Sequence, residues 1–127
     1  MDWHFKQHYT LDEARALLPQ VRQWLDRLQD VRRNLDKTER VLAQLRGQGG
    51  DLGGPTVERQ LRALLDFRAL VQEFKSRDIQ IKDLDRGLVD FPAFVGGKEV
   101  FLCWEQGEED IEFWHDLEGG YAGRERL

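Results

Sequence analysis

Seven ionisable residues in the last third of the chain have types and spacing that could do chemistry: Asp83, Asp85, Arg86, Asp90, His115, Asp116 and Arg124. Carboxylates beside a histidine can hold a divalent cation or pass protons. Asp83, Asp85, Asp90, His115 and Asp116 are therefore candidate metal ligands or acid–base groups. Arg86 and Arg124 are candidates for binding an anion. The same residues have a plainer reading, in which both arginines pair with the aspartates and pin the turns, and Asp85-Arg86-Gly87 is ordinary turn chemistry. The spacing matches no EF-hand, His-Glu-x-x-His or Cys/His zinc motif. Gly47 to Gly54 lacks the Lys-Ser/Thr of a phosphate-cradling loop, so the sequence identifies no cofactor.

A second candidate is Cys103 with His115 as nucleophile and base. One residue of register slip would move His115 to the other face of its strand, and a cysteine between Leu102 and Trp104 is ordinarily inert packing. His4 and His8 lie four apart, a metal spacing on a helix, but no helix signal covers them. Phe113, Trp104 and Trp114 could stack on a flat ligand; in a short sheet such residues form the core.

The elements that must position these groups can be read from periodicity. From Pro19 to Arg46, Val21, Leu28, Leu35 and Leu42 hold one heptad position and Trp24, Val31, Thr38 and Leu45 the other, a coiled-coil pattern. Thr10-Leu-Asp-Glu13 is a capping box opening a short helix to Leu18, with Pro19 kinking or breaking the chain before the long one. Five glycines and a proline between Gly47 and Pro55 make a reversal, and a second helix runs from about Thr56 to Arg77. After Arg77 the pattern alternates. Phe91–Val95, Gly96-Gly97 and Lys98–Glu105 read as a β-hairpin, with a further strand at Ile111–Asp116. Val100, Leu102 and Trp104 face one way and Phe101 and Cys103 the other, so both faces of this strand need cover. The helices supply one; the N-terminal arm, part of it an edge strand, the tail or a partner chain supplies the second.

The expected fold is α+β: a long antiparallel helical hairpin, preceded by a short helix, with a three- to four-stranded antiparallel sheet at the C-terminus. At 127 residues this is one domain, with residues 10–77 the hairpin, 79–118 the sheet and 119–127 a glycine-rich tail. A net charge of −5 with interspersed signs argues against nucleic acid and anionic membranes. A single cysteine, no membrane-length apolar run and no signal peptide point to a cytoplasmic protein.

Three blocks of the C-terminal third, Lys82-Asp-Leu-Asp-Arg-Gly-Leu-Val-Asp-Phe-Pro-Ala93, Glu99-Val-Phe-Leu-Cys-Trp104 and Phe113-Trp-His-Asp116 with Gly120-Tyr-Ala-Gly-Arg124, resemble a family of small bacterial proteins known as domain of unknown function 2203. Tyr9-Thr-Leu-Asp-Glu-Ala14 and Ala16-Leu-Leu-Pro19 fit its opening. The resemblance implies a helix-then-strands layout and a bacterial origin, and it carries over no catalytic residue.

Two functions follow. The first is a non-enzymatic interaction module, a homo-oligomer (a dimer) that also presents a surface to another bacterial protein, with Trp24, Leu28, Val31, Leu35 and Phe67 carrying the contacts. The expectation rests on an apolar stripe wider than a two-helix seam requires. The alternative is an enzyme dependent on a small ligand or divalent metal, with the Asp, His and Arg residues converging at the sheet end.

Overall fold

The computed structural model describes residues 2–47 and 54–127. Helix α1 spans Leu11–Gly47, about 55 Å at 1.5 Å per residue. The capping box forms as read: the Glu13 amide donates to Thr10 Oγ1 at 3.1 Å, and the Thr10 amide donates to Glu13 Oε1 at 2.9 Å.

Pro19 neither ends this helix nor starts another; it lies inside α1, so the separate short helix merges with the long one. The reason is energetic. An interior proline costs about 3 kcal/mol. Ala14, Leu18, Val21, Leu25 and Leu28 are buried on both sides of it in unbroken helical step, and each large apolar side chain is worth about 1.5–3 kcal/mol. The buried stripe wins.

Helix α2 spans Gly54–Lys75. The expected glycine-rich reversal lies largely outside the described residues. Near the sheet the helices touch through Trp24, edge-on to Phe74 at 5.7 Å, with the Arg77 guanidinium 4.6 Å above the Trp24 ring. Farther out, Val31, Thr38 and Val41 of α1 share a groove with Thr56, Arg59 and Ala63 of α2.

The sheet has five strands where three or four were expected. They are β1 (Gln80–Asp83), β2 (Leu88–Val95), β3 (Lys98–Glu105), β4 (Phe113–Asp116) and β5 (Glu125–Arg126), each antiparallel to its sequence neighbour. β5 comes from the tail, so that segment is not merely a loop. Gly96 and Gly97 have φ of +60° and +78°, both left-handed as a two-residue type I′ turn requires, and this fixes the β2–β3 register.

Val89, Phe91 and Ala93 of β2 and Val100, Leu102 and Trp104 of β3 pack under Leu18, Val21, Leu25, Leu28, Leu70 and Phe74. Arg15 and Arg22 tie α1 to the loop before β4 by donating to the carbonyls of Ile111, Glu108 and Glu109. No described helix is long and apolar enough to cross a membrane.

The outer face of the sheet is covered by both chain ends. The arm forms no strand; its Phe5 ring lies 5.3 Å from Phe101, and the Tyr9 amide donates to the Pro92 carbonyl at 2.7 Å. A 3₁₀ turn at Tyr121–Gly123 brings the tail over β4.

Candidate functional site

The register decides which candidates meet. Asp90 pairs with Cys103 across β2 and β3, and His115 pairs with Phe101, two residues along β3 from Cys103. Alternation then puts Asp90, Cys103 and His115 on the same outer face. All three are buried, and one ligand atom from each lies within 4.8 Å of the others, the one such grouping among the described residues.

His115 is held at both nitrogens. Nδ1 lies 2.6 Å from the Asp116 carbonyl oxygen, which can only accept, so Nδ1 carries a proton. Nε2 faces Asp90 Oδ2 at 3.0 Å, with both side chains 2% exposed. One proton is therefore shared between Nε2 and the carboxylate. Asp90 Oδ1 has no hydrogen-bond partner, alone among buried side-chain polar atoms of the described residues. Burial pushes the Asp90 carboxyl above the ordinary carboxylate range, and His115 opposes the rise. Burial also pushes the Cys103 thiol up to about 12; the Asp90 charge adds to this and Arg124 opposes it. Such a thiol is neither ionised nor accessible, which removes the nucleophile reading.

The other candidates stay apart. Asp83 Oδ1 accepts from the Arg86 amide and caps its own turn, and Asp85 is exposed. Asp116 pairs with Lys98 at 3.0 Å on the surface. Arg86 is bound to Glu105 at 2.7 Å and Arg124 to both oxygens of Glu108, at 3.1 and 2.9 Å. The two guanidiniums also lie over the Tyr121 ring, at 4.4 and 4.2 Å. Both are committed to internal partners and none converges with Asp83 or Asp85 on an anion pocket.

Beside the buried cluster, a cleft of about 670 Å³ opens between arm and sheet, lined by Phe5, Lys82, Lys98, Glu99, Phe101 and Gly119 among others. Glu99 is the residue that sequence reasoning missed. Its Oε1 accepts from the His4 amide at 3.0 Å and lies 3.1 Å from His4 Nδ1, while Oε2 accepts from the Phe5 amide at 3.1 Å and lies 2.7 Å from His8 Nε2. Burial alone would raise its pKa, but the hydrogen bonds from His8, His4 and Phe5 prevail and bring it down to about 2. The four-residue spacing of His4 and His8 thus serves one carboxylate from an irregular arm.

With the site in view, the family can be stated. Residues 7–127 match the model of DUF2203, an uncharacterized conserved protein. The chain belongs to the DUF2203 family. No curated protein and no solved structure matches it.

In this DUF2203 chain the residues named for helix contacts divide. Leu28 is fully buried, and Trp24 packs within the chain between Phe74 and Arg77. Leu35 and Phe67 line an open groove with Arg32, Asp36, Glu39 and Leu64, and Val31 lines the groove on the other side. On the two helices, the large apolar side chains most open to water lie farther out: Val41, Val57, Leu61, Leu64 and Leu65.

Proposed function

We propose that this protein is a non-enzymatic interaction module whose α1 and α2 form an antiparallel hairpin and whose far half pairs with a second copy of the chain. One observation carries the reading: Val41, Val57, Leu61, Leu64 and Leu65 are 41–56% exposed within the span of two otherwise regular helices. On α2, Val57, Leu61 and Leu64 recur at steps of four and three, so they form a continuous line next to the groove that holds Leu35 and Phe67. A contiguous apolar line of this kind marks an interaction surface, where scattered exposed residues would not.

The charges favour a copy of the same chain. Along the groove Arg32 comes first and Asp36 and Glu39 follow toward the tip. An antiparallel second copy sets its Asp36 and Glu39 opposite Arg32, and the two-fold axis repeats the match. Two hairpins joined this way make a four-helix bundle, which closes stripes too wide for a two-helix seam.

Sedimentation velocity with light scattering tests this at concentrations of roughly 10–100 µM, where a modest interface is occupied. A dimer is expected, and the double variant Leu61→Glu, Leu64→Glu should run as a monomer with unchanged far-UV circular dichroism. A wild-type monomer at the top of that range, or a dimer that survives both substitutions, overturns the proposal.

A further inference from the structure

We infer that Asp90, Cys103 and His115 form a three-ligand site for a divalent transition ion of the zinc class. The inference is independent of the helix contact and stands on the outer face of the sheet alone.

Three features carry it. First, the donor set is mixed: a sulfur, an imidazole nitrogen and a carboxylate oxygen lie within 4.8 Å of one another in a fully buried setting. Thiolate with imidazole selects borderline ions such as Zn²⁺ over Mg²⁺ or Ca²⁺, which want oxygen ligands.

Second, the imidazole is already oriented. Its Nδ1 proton is spent on the Asp116 carbonyl, so the lone pair of the neutral ring is on Nε2, facing Asp90. A backbone carbonyl gripping the far nitrogen is the usual outer support of a metal-binding histidine. A tetrahedral ion with bonds of about 2.0 Å would hold nitrogen and oxygen roughly 3.3 Å apart. The observed 3.0 Å is close to that separation.

Third, Asp90 Oδ1 has no partner although the side chain is only 2% exposed. An orphaned buried carboxylate oxygen carries a desolvation cost that no hydrogen bond offsets, and a coordinated cation would reverse it.

Coordination takes the ligands as thiolate, carboxylate and neutral imidazole, so the Sγ proton and the proton between Asp90 and His115 leave to solvent.

Titration of the whole chain, freed of metal by a chelator, with Co²⁺ gives the decisive readout. One equivalent should bind, with a thiolate-to-cobalt charge-transfer band in the near ultraviolet and intense four-coordinate visible bands. Cys103→Ala should abolish the charge-transfer band, and His115→Gln should weaken binding at least tenfold. Added Zn²⁺ should displace the cobalt and raise the Tm of the unaltered protein, a reading that does not depend on the variants folding. His8→Ala, in the other histidine cluster, should leave the spectrum unchanged. No stoichiometric binding, a spectrum without the sulfur band, or one that survives Cys103→Ala but is lost in His8→Ala, overturns the assignment.

Discussion

The two halves of α1 carry the same kind of apolar repeat and meet different ends. Over the sheet, Val21, Leu25 and Leu28 are completely buried. Beyond it, of the repeat only Leu42 is buried while Leu35 and Leu45 are half-buried, and Val41 beside them, with Leu61, Leu64 and Leu65 of α2, is left 41–56% exposed. A heptad pattern states that a stripe exists. It does not state what covers it. Near the sheet, β2 and β3 supply a second layer; farther out the helices have only each other, and a two-helix seam cannot enclose a stripe of that width.

The contrast can be tested most directly at its extremes. Leu25→Ala should cost about 2–5 kcal/mol, because it empties a closed core. Leu61→Ala should change monomer stability by about 0.5 kcal/mol or less. Urea unfolding of both, at protein concentrations low enough for the monomer to dominate, measures the difference, and equal effects would mean the far half is already covered within the monomer.

Gly87→Ala should destabilise by about 2–4 kcal/mol. Gly87 has φ of +67°, and an added Cβ would fall 2.5 Å from Gln106 Cβ and 3.1 Å from Leu25 Cδ2. The insult lands on the sheet-side half, so exchange protection should fall there and not at the tip.

Glu99→Gln should destabilise the fold by about 1 kcal/mol, because it removes the charge from a buried acceptor shared by the partly buried His8 and Phe5 and the exposed His4. The folded pKa, about 2, lies below the ordinary 4.5. Its contribution is therefore complete above about pH 4.5 and drains as pH falls toward 2. Acid unfolding of the variant should lack that part of the slope.

Thr10→Ala, at the start of α1, should cost about 1 kcal/mol. That loss belongs to the sheet-side half and should leave the oligomeric state untouched.

Much of this was legible in the letters. Gly96-Gly97 sits between two alternating runs, and only a left-handed turn fits there, so β2 and β3 could be placed. Val100 to Trp104 advertised two covered faces, and the capping box at Thr10 marked a helix start. Pro19 misled because a local rule about missing amides says nothing of the tertiary burial that outweighs it. β5 is two residues long, too short for periodicity to show.

The site was half legible. Asp90 and His115 stood among the candidates, but Asp83, Asp85 and Asp116 looked the same and proved to be surface or turn groups. What separates them is the alternation of β2 and β4 relative to β3, a register that strands impose on one another. Glu99 was invisible for a related reason: its partners, His4 and Phe5, come from the opposite end of the chain.

Trp3 rides on that arm, its indole edge-on to Phe94 at 4.9 Å and near the His8 ring. It is 43% exposed, whereas Trp104 is sealed in the interior. With the other three tryptophans changed to phenylalanine, its emission would report only on this segment. The chain thus carries an optical flag on the strap across Phe101, and a red shift would register the strap lifting while the interior stays shut.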